Sequence, residues 1–388
     1  MTSSRKAFVG AEIFDGSQFH EDAALVTGNG RVLGIQALNE VPGTTEKIVL
    51  DGGILAPGYV DLQVNGGGGV MFNSAPTVET LTRMAQAHAR SGATSILPTL
   101  ITDTPEVTAR AVETVALAAS KVPGIAGLHL EGPHLALSRK GAHDATLIRP
   151  MTAGDLDALV QAAKRLPVLK VTVAPEAVTL EQIRALSDAG VLVSIGHTDC
   201  CYSDLAAAAE AGARCVTHLF NAQSQLGNRE PGVVGAALQL GALSAGLIAD
   251  GIHVHPASMS VALHAKQGPG QIFLVSDAMA TAGSDIDSFT LNGREIRRET
   301  NRLTLADGTL AGAHLDLTTA IRNVVELCGL PLEKALAMAT SVPAALIGRD
   351  TDIGTLRPGA RADMVLLSED LELMSVYLNA EKALFETP

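Results

Sequence analysis

The sequence predicts a TIM-type (β/α)8 barrel of the α/β class, joined to a small β-sandwich domain formed from both chain termini. Three observations carry that reading. The middle of the chain holds eight short apolar runs, most of them separated by stretches of helical periodicity. Both ends read instead as short strands punctuated by turn residues. The length, 388 residues, exceeds one ordinary core and suits a barrel plus a small companion. The implied division is 1–56 with 352–388 for the sandwich and 57–351 for the barrel. An open doubly wound sheet satisfies the same alternation and stands as the alternative fold.

Taken in order, the first 55 residues place Asp15-Gly16, Asn29-Gly30 and Asp51-Gly52 between β-rich runs, with no helical period. Strand-like runs then occur at 58–64, 94–100, 124–130, 168–174, 191–195, 215–219, 244–249 and 272–275. Helical stretches fall at 78–90, 106–119, 180–189 and 202–211, and after the eighth strand at 316–327 and 332–339. The end of the chain returns to alternation in IGTL, ADMVLL and LELMSVYLN. Gly66–Gly69 follow a strand without opening a helix, which suits a permissive turn better than a phosphate loop.

Composition bounds the function. The chain is 47% apolar and 18% charged, enough to bury a large core. Its formal charge of −13 has the wrong sign for a general binder of nucleic acid or anionic membrane, so an anionic substrate needs locally placed cations. The four cysteines form no metal-type pair and no disulfide framework, which fits a reducing, cytoplasmic setting. No apolar core follows the charges of MTSSRKAFVG, so no signal peptide is expected. The most apolar stretch, 232–254, is broken by Gln239, Ser244 and Asp250 and reads as interior strand and helix.

In a barrel of this kind chemistry collects where strands stop. The apolar runs end at Gln63 and Asn65, Glu131, His197, His218, Asp250 with His253, and Asp277. Glu131, His197 and His218 form an N2O set from different strands, suited to Zn2+ or a similar divalent ion with an open position. Taken singly, each is better explained as a hydrogen-bonded loop residue; together, from several strands, they point to a site. Such an ion lowers the pKa of water toward about 7, and Asp277 is placed to take the proton, which is the machinery of amide or ester hydrolysis. Arg139, Lys140 and His143 could meet an anion or form a solvated basic loop, and Arg229 likewise. Cys200 and Cys201 read as buried or helix-start thiols. His20, His88, His255, His264 and His314 read as surface or outer-shell groups. His129 shares a strand face with Glu131, which suits an outer-shell role.

The ordered strings PGYVDLQVNGGGGVMFN, GLHLEGPHL, KGAH, SIGHTD, VTHLFNA, REPGVVGAAL, IADGIHVHP, VSDAM and GTLAGAHLDL resemble the N-acetylglucosamine-6-phosphate deacetylases of the amidohydrolase superfamily. The closing PGARADMVLL extends the resemblance into the terminal β domain. It implies a metal-dependent barrel enzyme, a homodimer, that removes acetyl from a 2-amino sugar phosphate. Glu131, His197 and His218 then take the metal positions, Asp277 the general acid/base and His143 the substrate-polarising histidine. Ala142, Asn221, Ala222, Leu310, Ala311 and Gly312 line the sugar site. Arg229 and His253 match its phosphate-contacting positions, the arginine reaching the neighbouring subunit, and Asp250 counts among the substrate-binding residues. Gln63 and Asn65 stand where many relatives carry His-x-His, which implies one divalent ion per subunit, zinc first and Fe2+, Co2+ or Mn2+ as substitutes.

The resemblance is imperfect in GTLAGAHLDL, where Ala313, His314 and Leu317 replace the usual residues and leave the sugar preference open. An N-acetylgalactosamine-6-phosphate deacetylase is the nearest alternative. A cyclic amidohydrolase would want His-x-His and a metal-bridging lysine. A silent sugar-phosphate-binding relative would have lost a ligand or Asp277, and none is lost.

Overall fold

The computed structural model describes residues 5–385, so the outermost ends of the expected sandwich, 1–4 and 386–388, lie outside the described residues. Eight parallel strands form one continuous sheet in chain order. They are Tyr59–Val64, Ala93–Ile101, Leu128–Glu131, Leu169–Val173, Leu192–Ile195, Cys215–Val216, Ser244–Leu247 and Ile272–Leu274. The sheet curls until the end of its first strand meets the segment just after its last at the Val64–Ala278 bridge, a nearly closed barrel and not an open sheet. All six residues of the first strand and all nine of the second are buried, as expected of parallel strands covered on both faces.

Helices cover the outside. Thr77, Thr104, Thr152 and Thr179 cap the helices Val78–Arg90, Pro105–Ala118, Ala153–Ala163 and Leu180–Asp188, each accepting a bond from a first-turn amide. A threonine cap of this kind contributes about 1 kcal/mol. Helices Ala153–Ala163, Gly232–Gln239 and Pro256–Ala265 add to those read from periodicity. The last two are the most uniformly apolar in composition, which left little amphipathic signal in the sequence; Gly232–Gln239 is almost wholly buried, whereas Pro256–Ala265 buries only Met259 and Ala262.

The terminal strands build two further sheets. One has four strands drawn from the first 49 residues; the other has six and joins Ile54–Pro57 to the C-terminal Met364–Leu367. Phe8, Leu25 and Val32 from the first pack with Leu55, Met364, Leu366 and Tyr377 from the second.

One element was not anticipated. Ser288–Leu291, Arg294–Glu299 and Arg302–Thr304 form a three-stranded antiparallel sheet between the eighth barrel strand and helix Leu317–Cys328. Its buried Leu291, Ile296 and Leu303 pack on Met71, Ile101, Met279 and Ala311 at the barrel mouth. The four-glycine run is a tight hairpin turn: Gly66 and Gly67 pair with Met71 and Val70, and Gly68 and Gly69 have φ of 62° and 81°. No helix among the described residues is long and apolar enough to cross a membrane.

Candidate metal centre and active site

Glu131 ends the third barrel strand, while His197 and His218 follow the fifth and sixth. The backbone turns sharply at these ends. His197, His218 and Asp277 have φ of 49°, 30° and 50°, a region that costs a non-glycine residue about 1–3 kcal/mol. Strain concentrated on three residues at the mouth of one barrel is a mark of function. It turns all three side chains into the space above the barrel axis.

Their donor atoms converge. His197 Nε2 lies 3.1 Å from Glu131 Oε1, His218 Nε2 lies 3.0 Å from the same oxygen, and the two Nε2 atoms are 3.1 Å apart. His197 Nδ1 donates to the carbonyl of Arg139 at 2.8 Å, which leaves its Nε2 with a lone pair facing the cluster. Two imidazole nitrogens and a carboxylate oxygen in mutual contact, all buried, form a donor set that fits a divalent cation such as zinc. Burial opposes the charge on Glu131, yet the His197 and His218 rings beside it hold its carboxyl well below the usual range.

His143 enters the same cluster, with a ligand-type atom within 4.8 Å of those of Glu131 and His197. Its ring is already committed on one side. Nδ1 accepts from the Thr102 amide at 3.4 Å and lies 2.8 Å from Thr102 Oγ1. A backbone amide can only donate, so the proton sits on Nε2 and makes that atom a donor. Burial and the neighbouring His197 push the His143 pKa down to about 3, keeping the ring neutral. The tightest contacts are those of the 3.0–3.1 Å set of Glu131, His197 and His218.

Gln63 and Asn65 have a role beyond the absence of histidines. Asn65 Nδ2 donates to Asp277 Oδ1 at 2.7 Å, and Gln63 Nε2 donates to the same oxygen at 3.1 Å. Gln63 Nε2 also reaches both Glu131 oxygens at 3.4 and 3.3 Å. Carboxylates only accept, so the NH2 ends must face them. Asp277 Oδ1 is thus saturated, whereas Oδ2 makes no hydrogen bond among the described residues. Burial and the Glu131 charge raise the pKa of Asp277.

Beneath this layer runs a belt of hydroxyls. His129 bridges Thr99 Oγ1 at 3.2 Å and Thr172 Oγ1 at 2.7 Å; Thr172 continues to Thr217 at 2.7 Å and Thr217 to Ser194 at 2.6 Å. The belt links strands two to six directly under the ligand-bearing ends. His129 thus supports the site through the strands on either side of Glu131.

A cavity of about 380 Å³ opens above the cluster. Glu131, His143, His197, His218 and Asp277 line it, as do Ala142, Asn221, Ala222, His253, Leu310 and Gly312. Three expected substrate residues stand apart. Ala311 is buried under the loop among apolar side chains. Asp250 sits behind His253, accepting from its Nδ1 at 2.6 Å and from its backbone amide at 2.8 Å, so it aims the ring. Arg229 is exposed on the loop before helix Gly232–Gln239 and outside this cavity. His314 bonds Thr281 Oγ1 at 3.0 Å and lines a separate cavity of about 200 Å³, so the departure in GTLAGAHLDL does not touch the main one.

Sequence reasoning missed Thr102, which fixes the His143 tautomer, and Arg294, whose guanidinium binds the Ala142 carbonyl from the unanticipated sheet. Neither carries a motif, because each acts through a contact distant in the chain. Cys200 and Cys201 are, as expected, a buried thiol and a helix cap. His88 proves to be buried, bonding the Gly66 carbonyl at 2.8 Å.

Residues 54–385 match the Amidohydrolase family. The chain is 40% identical to an N-acetylgalactosamine-6-phosphate deacetylase of Shewanella sp. (strain ANA-3), over 96% of this chain and 94% of the relative. It is 33% identical to an N-acetylglucosamine-6-phosphate deacetylase of Haemophilus influenzae, over 97% and 98%. The N-acetylglucosamine-6-phosphate deacetylase of Pasteurella multocida superposes with a TM-score of 0.93 at 34% identity, covering 98% of this chain and 99% of that one. The chain therefore belongs to the amidohydrolase family, close to the deacetylases of N-acetylglucosamine and N-acetylgalactosamine 6-phosphates.

Proposed function

We propose that this protein hydrolyses the acetamide of a 6-phosphorylated N-acetylhexosamine, releasing acetate and the free amine. N-acetylglucosamine 6-phosphate is the first substrate; the 40% identity to the Shewanella enzyme favours the galacto epimer as the second reading. The carrying observation is the Glu131–His197–His218 triangle placed beside Asp277 and His143 in one cavity. Glu131, His197 and His218 would hold one divalent ion, zinc by donor type, with Fe2+, Co2+ or Mn2+ as substitutes. When bound, that ion supplies Lewis acidity toward the acetyl carbonyl and raises the acidity of water.

The chain's own groups do the rest. His143 Nε2–H donates to the acetyl oxygen and holds the negative charge that develops there. Asp277 Oδ2 takes a proton from water as the water oxygen bonds to the acetyl carbon. The C–N bond then breaks and Asp277 returns the proton to the departing nitrogen, so one carboxyl serves as base and then acid. Asn65 and Gln63 keep Oδ1 occupied and Oδ2 aimed throughout. Ala142, Asn221, Ala222, Leu310 and Gly312 enclose the sugar, with Ala311 supporting the loop. His253, aimed by Asp250, meets the phosphate.

Arg229 completes the phosphate site of a partner subunit in a homodimer, a reading supported by its exposure on a loop outside its own cavity. We assign 1–56 with 352–388 to the sandwich and 57–351 to the barrel, supported by the pairing of Ile54–Pro57 with Met364–Leu367. The free cysteines fit a cytoplasmic location. Acetate release from the two sugar phosphates tests the reading.

A further inference from the structure

Asp61 lies two residues before Gln63 in the first barrel strand and is fully buried. Its carboxylate makes no contact with the metal cluster. Oδ1 accepts from the Gln63 amide at 3.1 Å and from the Ser276 amide at 3.3 Å, and Oδ2 accepts from the Ser276 amide at 3.2 Å. These contacts fall at one place, the seam where the barrel closes. The sheet's ladder ends at Tyr59–Val64 on one side and Ile272–Leu274 on the other. Above that point the Asp277 amide reaches Gln63 O at 3.1 Å and the Asn65 amide reaches Ala278 O at 2.8 Å. The Asp61 carboxylate therefore replaces the missing rung just below. Ser276 Oγ extends the network by accepting from the Ala278 amide at 3.2 Å.

The residues clasped are those on which the proposed chemistry depends. Ser276 directly precedes Asp277, whose φ of 50° needs a firm anchor on each side. Gln63 carries one of the two amides that saturate Asp277 Oδ1. We propose that Asp61 is a positioning residue for deacetylation: by binding the amides of Gln63 and Ser276 across the seam, it sets the Asn65/Gln63–Asp277 geometry and so the aim of Asp277 Oδ2. This inference rests on the acid/base role proposed for Asp277.

Two observations separate this from a general core role. Burial raises the Asp61 pKa to about 7, so the carboxylate is costly to keep there and an apolar side chain would pack more cheaply. Asp61 also faces the separate cavity of about 200 Å³, together with Ser276, His88 and His314, and does not line the substrate cavity. A change at Asp61 should therefore alter no substrate contact.

The test is Asp61→Asn with Asp61→Ser beside it, each assayed as metal-loaded enzyme. In Asp61→Asn an NH2 replaces one acceptor, facing amides that can only donate. Misplacing a reacting group by about 1 Å costs about 100-fold, so kcat should fall about 10- to 100-fold with KM and metal content held. Amide exchange at Gln63 and Ser276 should accelerate in the same variant. A kcat within about twofold of wild type, a loss confined to KM or metal content, or unchanged exchange overturns the proposal. If Asp61→Asn does not fold, Asp61→Ser, whose single hydroxyl is too short to span both amides, carries the test, and wild-type kcat and exchange there overturn it equally. Should the wild-type chain release no acetate, the functional reading falls, and amide exchange still decides whether the clasp exists.

Discussion

Replacing Asp277 by asparagine isolates chemistry from architecture. Asp277 Oδ1 accepts two bonds, at 2.7 Å from Asn65 and 3.1 Å from Gln63, and an asparagine carbonyl can accept both. Its NH2 then takes the place of Oδ2, facing the cavity. Shape and polar satisfaction are kept, while the group that accepts and returns the proton is gone. Removing a positioned general acid/base costs about 10²–10⁴ in rate, or about 2.7–5.5 kcal/mol. Asp277→Asn should lose kcat by that factor with the melting temperature and bound metal unchanged, read by acetate release and metal analysis. Asp277→Ala makes the contrast. There the buried Asn65 amide loses its partner, a penalty of about 1–3 kcal/mol, so the melting temperature should fall as well. Turnover by Asp277→Asn within about tenfold of wild type would refute the assignment.

Three further outcomes follow from the same geometry. His143→Gln should lower kcat about 10²–10³-fold and retain the metal, whereas His218→Ala should lose it; metal loss in His143→Gln would instead make His143 a ligand. Because Asp277 must be ionised to take a proton, and burial with the Glu131 charge raises its pKa, kcat/KM should fall on acidification at a pH above the ordinary carboxylate range; an acid limb at or below that range contradicts this. Arg229→Ala should raise KM for the phosphorylated sugar far more than for its unphosphorylated counterpart, and equal effects would remove Arg229 from the phosphate site.

Much of this molecule was legible in the sequence, for a physical reason. Parallel strands buried on both faces give unbroken apolar runs, and the runs stop where Glu131, His197, His218 and Asp277 leave the barrel. Turn residues betrayed the terminal β sheets in the same way. What escaped notice acts through contacts distant in the chain. Arg294 lies in a sheet whose outward positions are polar, with only Leu291, Ile296 and Leu303 buried, too few to signal strands. Thr102 and the belt of Thr99, Thr172, Thr217 and Ser194 are hydroxyls, which strands accommodate for many reasons. Gln63 and Asn65 were legible only as the absence of histidines; their work as donors to two carboxylates needed coordinates. His314 stands in the departing part of a resembling loop, and its side chain faces another cavity, while the epimer preference stays open between the two kinds of relative.

The most direct test is acetate release by the purified chain from N-acetylglucosamine 6-phosphate and N-acetylgalactosamine 6-phosphate in parallel, before and after chelation and on adding back zinc. Rapid release from at least one of them, abolished by chelation and restored by one equivalent of metal per chain, is the predicted result. No release from either with metal bound, or undiminished release after complete metal removal, would contradict it.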